Sequence, residues 1–443
     1  SYHPNNKRFA YFNPAENNRY TGVIGIMVED RKHNLWIASE GAGLIGWDVK
    51  NRKFSFNRID SEKNESYSKN IIKCLYQEGD NIYCGTSRSE IFLFNTINHK
   101  FRFLYKLNDE RKVVYDLLKD NEGNLWAGAT GDNNGLYCIS KNGQIRSTFN
   151  SGNRTYTFND VRSLLLLKEN VLLIGTRFDG LFMFDYKKNT VKTISLNTKT
   201  EPFNINKKHI TDLFKDSKNR IWIGTYGSGL YCYTEKNGII AHYDKTDGLL
   251  DEDVCSLIES EDKNIWIGSK STISELNPFT GKITSYNNKN GIYLLELSFK
   301  AAFKSYDGRL FFSGTNGFIS FQPQRLSSNN FIPPLTFTSF SVNNTKIEVN
   351  DKSKILHQNL NTIDEIDLNY NQSNISIKFA ALNYIFPEHN TYAIMLGNVD
   401  RNWTDIGSRN EMNYANLAPG TYTFRVKAAN NDGIWNENPI SLR

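Results

Sequence analysis

A short strand motif recurs seven times along the chain, and this repeat constrains the fold more than any other feature. Its clearest copies end in a tryptophan, an aliphatic residue and a glycine, as in Asn264-Ile-Trp266-Ile-Gly268. The bulky residues at the tryptophan position are numbers 36, 83, 126, 173, 222, 266 and 312, at spacings of 47, 43, 47, 49, 44 and 46 residues. A four-stranded propeller blade takes about 40–50 residues. The repeat therefore predicts a seven-bladed β-propeller.

Each repeat is interpreted as four strands. An apolar first strand, such as residues 254–258, leads into a polar turn, such as 120–124, where Asp, Asn and Gly supply the turn geometry. The tryptophan strand follows, and a short loop connects it to a third strand that begins Gly-Leu, as at Gly229 and Leu230. The fourth strand is polar, as in residues 53–56. The large ring of the second strand is suited to the space between neighbouring blades.

The two ends of the repeat predict how the ring closes. The seventh unit runs through residues 317–321 and has no fourth strand of its own, whereas residues 5–12 form an isolated strand before the first unit. We expect the strand at 5–12 to complete blade seven, because closure hides the edges that an open array exposes. The predicted domains are a propeller at 1–326, a linker at 327–334 and a second domain at 335–443.

The second predicted domain is also built of strands. Alternation over residues 375–379 places Ile375, Ile377 and Phe379 on one face, and residues 421–428 place Phe424 and Val426 inward. About 110 residues of such strands are typical of an immunoglobulin-like or fibronectin-like sandwich. The predicted fold class is therefore all-β, a seven-bladed β-propeller followed by a β-sandwich.

Composition excludes several classes of function. The formal net charge is +6 without a basic run, which argues against nucleic-acid binding. The five cysteines form no CxxC pair; Cys138 and Cys232 occupy equivalent core positions in two repeats, and a bridge between Cys74 and Cys84 is an open alternative. Residues 1–6 are polar and no apolar stretch reaches about 18 residues, so neither a signal peptide nor a membrane helix is expected.

The motifs resemble those of a known family. The core beginning at Trp222 and the Gly-Leu-Tyr sequence at 229–231 resemble the regulatory propeller repeats of bacterial two-component sensors. The second domain resembles the triple-tyrosine domain that follows such propellers. The matching residues are 375–382, Tyr392, Leu396, Asp400, Trp403, Tyr414, 417–424 and 426–435. Two positions depart from that pattern, because Ile394 stands where a second tyrosine is expected and Asn398 where glycine is usual.

This resemblance implies the extracytoplasmic sensor region of a Bacteroidetes hybrid two-component system that detects glycans. It implies a periplasmic location at the inner membrane, a second propeller in the same chain, and a homodimer formed through the sandwich. It also implies a histidine kinase further along the full-length protein. We therefore expect this sequence to be a fragment with no enzymatic activity of its own, in which a bound glycan shifts the orientation of the sandwich.

Ligand-binding candidates lie in the loops between the second and third strands, where propellers collect variable residues. The candidate set is Arg88, Asp132, Asn133, Arg177, Phe178, Asp179, Tyr226 and Lys270. Glu40 occupies a similar loop, and Arg154, Tyr156 and His209 lie in longer connections. Aromatic faces suit sugar rings, and the cations Arg88, Arg177 and Lys270 would suit an acidic glycan.

Other functions are considered on the same residues. The seven histidines are scattered without the spacing of metal ligands, so no metal and no cofactor are expected. Sialidase-type propellers carry Ser-x-Asp-x-Gly-x-Thr-Trp turns, but Asp216 here is six residues before Trp222, which indicates an ordinary strand turn. No catalytic residue is predicted. The alternatives are a protein-interaction scaffold and, third, a propeller glycosidase or lyase.

Overall fold

The chain consists of two compact units. The computed structural model describes residues 9–15, 22–59, 70–107, 112–131, 135–147, 149–151, 154–156, 158–194, 208–293, 296–326, 330–384 and 387–443. One unit ends at Arg325 and the other runs from Leu326 to Arg443. The predicted linker begins at residues 327–329, which lie outside the described residues, and its remainder leads to a strand that starts at Leu335.

The first unit contains seven four-stranded antiparallel sheets among the described residues, and we number these blades in chain order. The strands of blade 1 are Ile24–Glu29, Leu35–Ser39, Leu44–Asp48 and Lys53–Asn57; of blade 2, Ile72–Glu78, Asn81–Thr86, Glu90–Asn95 and Lys100–Lys106; of blade 3, Val114–Lys119, Leu125–Ala129, Leu136–Ile139 and Ile145–Arg146; of blade 4, Val161–Lys168, Val171–Thr176, Leu181–Asp185 and Thr190–Ile194. Those of blade 5 are Ile210–Lys215, Ile221–Thr225, Leu230–Thr234 and Gly238–Tyr243; of blade 6, Val254–Glu259, Ile265–Ser269, Ile273–Leu276 and Ile283–Tyr286; of blade 7, Leu297–Lys304, Leu310–Gly314, Gly317–Phe321 and Ala10–Phe12.

The blades form a closed ring. The first strand of every blade contacts the first strands of both neighbouring blades, and the contact between blade 7 and blade 1 completes the circle. These seven strands therefore surround a central channel. The seven-bladed propeller predicted from the repeat is confirmed.

An N-terminal strand supplies the fourth strand of blade 7. Ala10, Tyr11 and Phe12 pair antiparallel with Ser320, Ile319 and Phe318. The Phe9 ring lies 4.9 Å from that of Phe321 in blade 7 and 5.6 Å from that of Tyr286 in blade 6. The Phe12 ring lies 5.5 Å from that of Trp47 in blade 1. This strand thus joins three blades, while residues 5–8 of the predicted strand lie outside the described part of the chain.

The tryptophan of the repeat is fixed by the polar turn that precedes it. The Nε1 atom of Trp222 donates a hydrogen bond of 2.8 Å to the buried Asp216 carboxylate, and Asp120 and Asp30 accept the same bond in blades 3 and 1. In blade 6 the hydroxyl of Ser260 takes the place of the carboxylate at 3.2 Å. The aspartate six residues before the tryptophan is therefore a structural residue, because it leaves no buried indole N–H unpaired.

The glycine of the repeat is required by the close approach of adjacent blades. A Cβ atom built on Gly175 would lie 2.5 Å from Cγ2 of Ile210, the first residue of the next blade. Real Cβ contacts are longer than this, so any side chain here would push the second strand of blade 4 away from the first strand of blade 5. The recurrence of glycine after the bulky strand residue follows from this geometry.

The remaining elements of the first unit are short. A two-stranded hairpin, Phe149–Ser151 with Arg154–Tyr156, lies between blades 3 and 4. Turns of 3-10 helix occur at Lys245–Asp247, Asn288–Asn290 and Pro323–Arg325. All five cysteines are buried free thiols, so the alternative of a bridge between Cys74 and Cys84 is wrong.

The second unit is a sandwich of two four-stranded antiparallel sheets. One sheet has the order Thr345–Lys346, Leu335–Val342, Ile375–Ala381 and Glu411–Tyr414, and the other the order Thr404–Gly407, Thr391–Gly397, Thr423–Ala429 and Trp435–Leu442. A 3-10 turn at Pro387–His389 precedes the strand at Thr391–Gly397. The predicted alternation is confirmed, because Ile377, Phe379, Phe424 and Val426 are all buried in one core.

The two departures from the triple-tyrosine pattern fit this sandwich. Asn398 has a φ of 70°, a left-handed conformation that glycine and asparagine adopt most readily, and its side-chain amide donates to the Thr421 carbonyl at 2.7 Å. Ile394 is buried among the core residues, where an aliphatic side chain packs without needing a hydrogen bond. Tyr392 is also buried, and its hydroxyl oxygen accepts a bond of 3.1 Å from the Ala381 N–H.

Candidate ligand-binding site

A β-bulge near the start of the first strand leaves one residue unpaired in several blades, and most of these residues line the channel. In blades 2 to 6 the pairing of the first two strands shifts by one residue immediately after the first strand residue. The extra residues are Lys73, Tyr115, Arg162, Thr211 and Cys255. A bulge inserts one unpaired residue and re-aims its side chain. Lys73, Tyr115 and Arg162 are thereby directed to the channel, whereas Cys255 stays buried and the Thr211 hydroxyl donates to the Val254 carbonyl of blade 6 at 2.6 Å.

Blade 7 carries a larger irregularity at the same place. Residues 298–301 lie opposite the single residue Ser313, because Leu297 pairs with Gly314 and Ala302 with Phe312. Lys300 has a φ of 56°, which turns the backbone inside this segment. The irregularity brings the side chains of Phe299 and Lys300 to the channel.

These residues line a cavity at the end of the channel where the first strands begin. Its volume is about 260 Å³. The lining residues are Gly25, Ile26, Glu40, Ile72, Lys73, Tyr115, Arg162, His209, Thr211, Ser298, Phe299 and Lys300. We call this space the channel cavity. The ring of Phe299 remains 44% exposed, so an apolar face is open to a bound molecule.

One wall of the channel cavity combines an aromatic ring with cations. The guanidinium of Arg162 lies 3.8 Å from the centroid of the Tyr115 ring and pairs with Asp160, with 2.8 Å between Arg162 Nε and Asp160 Oδ1. The ammonium of Lys73 pairs with Glu40 on the neighbouring blade. Each of these two cations therefore has an acidic partner and still presents N–H donors beside a ring.

His209 also lines the channel cavity, between two other rings. Its imidazole lies 5.7 Å from the ring of Tyr226 and 6.0 Å from the ring of Phe299. Burial, followed by the charges of Arg162 and Arg177, lowers the pKa of His209 to about 4. The ring is consequently neutral at pH 7, with one nitrogen able to donate and the other able to accept a hydrogen bond.

A buried ion cluster lies beside the channel cavity. The ammonium of Lys300 bonds the carboxylate of Asp116 across the channel, and Asp212 contributes a second negative charge. Burial disfavours the charged form of Lys300, yet these two carboxylates raise its pKa above the ordinary value. Burial is also the main cause that raises the pKa of Asp212 to about 6. Asp116 and Asp212 each accept a backbone N–H from the next blade, so the cluster also links blades.

Two of the predicted loop residues form a pair at the edge of the channel cavity. The Nζ atom of Lys270 lies 2.7 Å from Oδ2 of Asp253 and donates to the Tyr226 hydroxyl at 2.8 Å. The bond to Asp253 is the largest cause that raises the pKa of Lys270. Because Tyr226 stacks beside His209, this pair is connected to the cavity wall.

A second group of predicted residues lies on blade 4. The guanidinium of Arg177 is 4.9 Å from the centroid of the Phe178 ring and 3.8 Å from the same Asp160 that pairs with Arg162. Asp179 accepts a bond of 3.1 Å from the Asn159 amide. Phe178 is exposed over about half of its surface.

The other predicted positions are less connected to the channel cavity. Arg88 follows the second strand of blade 2, and its backbone N–H donates to Thr86 Oγ1 at 3.3 Å. Asp132 and Asn133 lie outside the described residues, and so do the side chains of Arg154 and Tyr156. The binding role of all eight predicted residues remains a prediction.

The bulged residues were missed at the level of sequence. Lys73, Tyr115 and Arg162 each lie second in a strand that is otherwise apolar at its start, which was the available signal. Such a residue is expected to face solvent in a regular strand, whereas the bulge directs it into the channel. In the described part of the chain, no cluster of three or more His, Cys, Asp or Glu side chains could hold a metal ion.

Comparison with known proteins finds a family match in each part of the chain. Residues 204–227 match the two component regulator propeller family, and residues 383–443 match the Y_Y_Y domain family. The first unit thus contains a stretch similar to two component regulator propellers, and the second unit is similar to Y_Y_Y domains. The predicted resemblance is confirmed by this combination. The Y_Y_Y match covers the second sheet of the sandwich and the strand Glu411–Tyr414 of the first.

Longer proteins are similar to nearly the whole of this chain. Histidine kinase P4 of Formosa agariphila is 28% identical over 435 residues, which are 95% of this chain and 31% of that protein. The extracellular domain of a hybrid two component system from B. thetaiotaomicron has a TM-score of 0.76 and 22% identity, covering 98% of this chain and 57% of that one. The chain therefore spans about a third of the curated relative. Among the described residues, no helix is long and apolar enough to cross a membrane.

An enzyme shares the propeller fold alone. A virginiamycin B lyase from Staphylococcus aureus has a TM-score of 0.54 and 14% identity, and the match covers 70% of this chain and 97% of that one. At this identity the likeness concerns the fold and carries no information about activity.

Proposed function

We propose that this chain is the extracytoplasmic sensing region of a hybrid two-component histidine kinase, located in the periplasm, and that its propeller binds a glycan fragment. The pairing of a two-component regulator propeller with a Y_Y_Y domain supports the sensor role. The curated relative is named as a histidine kinase and matches over 95% of this chain, which supports the sensor role further. The kinase itself would belong to a part of the protein outside this sequence.

The observation that carries the glycan proposal is the composition of the channel cavity. Sugar rings have apolar faces that stack on aromatic rings and hydroxyls that both donate and accept hydrogen bonds. The channel cavity offers the rings of Tyr115, His209 and Phe299 together with donors on Lys73 and Arg162. Its volume of about 260 Å³ suits one or two sugar residues rather than a long chain.

The charges of the channel cavity favour hydroxyl recognition. Lys73, Arg162 and Lys300 are paired with Glu40, Asp160 and Asp116 respectively. Because each cation is already neutralised, a carboxylate in this cavity would have to compete with a carboxylate of the protein. We therefore propose a neutral sugar unit in the channel cavity, and an acidic unit of the same glycan would reach Arg177 or Lys270 at its edge.

The signal would pass through the sandwich. A ligand that binds more tightly to one arrangement of the chain shifts the population toward that arrangement. We propose that this shift reorients the sandwich of one chain relative to a second copy in a homodimer, and that a second propeller of the full-length chain contributes to the ligand site. The protein-interaction scaffold is the rival function.

Calorimetric titration of the whole chain with a panel of purified oligosaccharides tests the proposal. We expect at least one neutral oligosaccharide to bind. Phe299→Ala should lower the affinity for that oligosaccharide about tenfold, because stacking on one ring contributes about 1 kcal/mol or more to the binding free energy. Phe279→Ala is the matched control, because Phe279 is 69% exposed on blade 6 and lies outside the channel cavity. Its affinity should equal that of the wild type.

Four outcomes would contradict the proposal. Equal affinities of Phe299→Ala and wild type would place the ligand elsewhere. Binding of no saccharide, together with a defined protein ligand that binds the purified chain, would favour the scaffold. Release of reducing ends from a polysaccharide by the purified chain would favour a glycosidase, and new unsaturated ends would favour a lyase.

A further inference from the structure

A second cavity lies between blades 7 and 1, at the ends of the strands opposite to the channel cavity. Its volume is about 190 Å³. The turns between the first two strands of both blades line it, with the closing strand and the hairpin that joins the last two strands of blade 1. We call it the closure groove. Phe12, Trp47, Arg52, Tyr306, Arg309 and Ser320 are among its lining residues.

A fixed aromatic platform forms one side of the closure groove. The ring of His33 stacks on the ring of Tyr306 with 3.5 Å between centroids. Glu29 holds both residues, because its carboxylate accepts the Tyr306 N–H at 2.9 Å and contacts His33 Nδ1 at 2.9 Å. Tyr306 is nevertheless 68% exposed. A large ring that is held in place and left open to solvent is suited to stacking against a ligand ring.

An uncommitted cation faces the same groove. Arg52 forms no ion pair within the described part of the chain. Arg52 adopts a φ of 54°. The corresponding hairpin positions of blades 2 and 4 are His99 and Asn189, and their φ values are similar, at 56° and 53°. The hairpin therefore requires a left-handed backbone conformation at this position, but it does not require the residue there to be arginine. A guanidinium without an acidic partner is available for a carboxylate, which it can bind through two hydrogen bonds.

The other polar groups of the closure groove both donate and accept hydrogen bonds. Arg309 and Asp307 form a loose pair, with 3.8 Å between Arg309 Nε and Asp307 Oδ2. Ser320 is only 2% exposed, and its hydroxyl has no hydrogen-bond partner among the residues that the structure describes. Sugar hydroxyls act as donors and acceptors at once, so a mixed lining suits them better than it suits a purely anionic ligand.

We infer that the closure groove is a second ligand site, which binds a single uronic acid residue. The carboxylate of the sugar would pair with Arg52, its ring would stack on Tyr306, and its hydroxyls would meet Arg309 and Asp307. The volume of the groove is below the range of about 300–1,000 Å³ typical of pockets for larger ligands, which limits the occupant to one ring. This site does not depend on the channel cavity, because the two spaces share no lining residue.

Saturation-transfer NMR on the whole chain with D-galacturonate and D-galactose tests this inference. The two sugars differ only in the carboxylate at C6. We expect galacturonate to bind with a dissociation constant of about 1 mM and galactose to bind at least tenfold more weakly. Arg52→Ala should lower the affinity for galacturonate about tenfold, and Tyr306→Ala should lower that affinity by a similar factor.

The controls separate the closure groove from other effects. Lys50→Ala removes an exposed cation of the same hairpin that does not line the groove, so its affinity for galacturonate should be unchanged. Phe299→Ala should leave the affinity for galacturonate unchanged, although it lowers the affinity of the channel cavity for its own ligand. Wild-type melting temperatures of Arg52→Ala and Tyr306→Ala would show that the fold is preserved.

The inference is overturned if galactose and galacturonate bind equally, or if neither binds at about 10 mM, a concentration well above the expected dissociation constant. It is also overturned if Arg52→Ala binds like the wild type. A short peptide with a free terminal carboxylate is the competing ligand. If it binds more tightly than galacturonate and loses that binding in Arg52→Ala, the groove would be a site for a peptide end, and the inference would also be overturned.

Discussion

Asp216 offers the sharpest test of how each blade holds its tryptophan. Its buried carboxylate accepts four hydrogen bonds: from the N–H of Lys218 and of Arg220, both at 2.9 Å, from Arg220 Nε at 2.6 Å and from Trp222 Nε1 at 2.8 Å. Asp216→Ala leaves the Trp222 N–H without an acceptor, at a cost of about 1–3 kcal/mol. It also leaves a largely buried Arg220 unpaired, and we expect a total loss of about 3–5 kcal/mol.

Urea unfolding followed by tryptophan fluorescence at pH 7 measures this loss. Asp216→Asn keeps one carbonyl acceptor and should lose about half as much free energy of unfolding as Asp216→Ala. Glu235→Ala is the control, since Glu235 pairs with Lys168 on the surface and its removal should cost less than about 1 kcal/mol. A loss below 1 kcal/mol for Asp216→Ala would refute the assigned role.

The pH dependence of the same variants gives an independent measurement. Burial opposes ionisation of Asp216, but its bonds to Trp222 and Arg220 lower its pKa below the ordinary value. A carboxylate with a lowered pKa in the folded state contributes stability above its unfolded pKa of about 3.9, and this contribution disappears as the pH falls through the folded pKa. The difference between wild type and Asp216→Asn should therefore be constant from pH 7 to 5 and shrink below about pH 4.

Two further predictions concern the ring. Gly175→Ala should lower the free energy of unfolding, measured in urea, by about 1–3 kcal/mol, because the added Cβ would collide with Ile210. Gly25→Ala should change this free energy much less, because its Cβ would meet no atom closer than 3.6 Å. Equal effects of the two substitutions would contradict the argument. Asp212 has its pKa raised to about 6, so the stability that its protonated form contributes is fully present below about pH 4 and is lost as the pH rises through about 6. Melting temperatures from pH 4 to 8 should therefore fall less steeply for Asp212→Asn than for the wild type, and parallel curves would exclude Asp212 as the cause.

The architecture could be predicted from the sequence because its signals are local and repeated. Trp126 and Trp222 occupy the same environment in two blades, so one packing requirement leaves the same residue at a regular spacing. The glycine two residues later reflects the same close approach of strands in several blades. Repetition made these requirements visible without any knowledge of contacts.

The channel cavity could not be predicted in the same way, because its residues meet only through the closed ring. Lys300 and Asp116 are 184 residues apart, and no local pattern relates them. The positions of Tyr115 and Arg162 depend on a one-residue shift in strand pairing, which alternation of apolar and polar residues does not reveal. Loop residues such as Tyr226 and Lys270 could be proposed because loops after the second strand are recognisable from the repeat.

The bulge near the start of the first strand separates the residues that maintain the ring from those that line the channel. The tryptophan, its aspartate and the glycine maintain the ring, whereas a single unpaired position faces the channel. Lysine, tyrosine, arginine and threonine occupy this position at residues 73, 115, 162 and 211 on nearly the same backbone. Exchanges at residues 73, 115 and 162 would therefore change the lining of the channel cavity and leave the scaffold intact, whereas the Thr211 hydroxyl also bonds the Val254 carbonyl of blade 6. Under the proposed sensing role, ligand specificity would change one blade at a time.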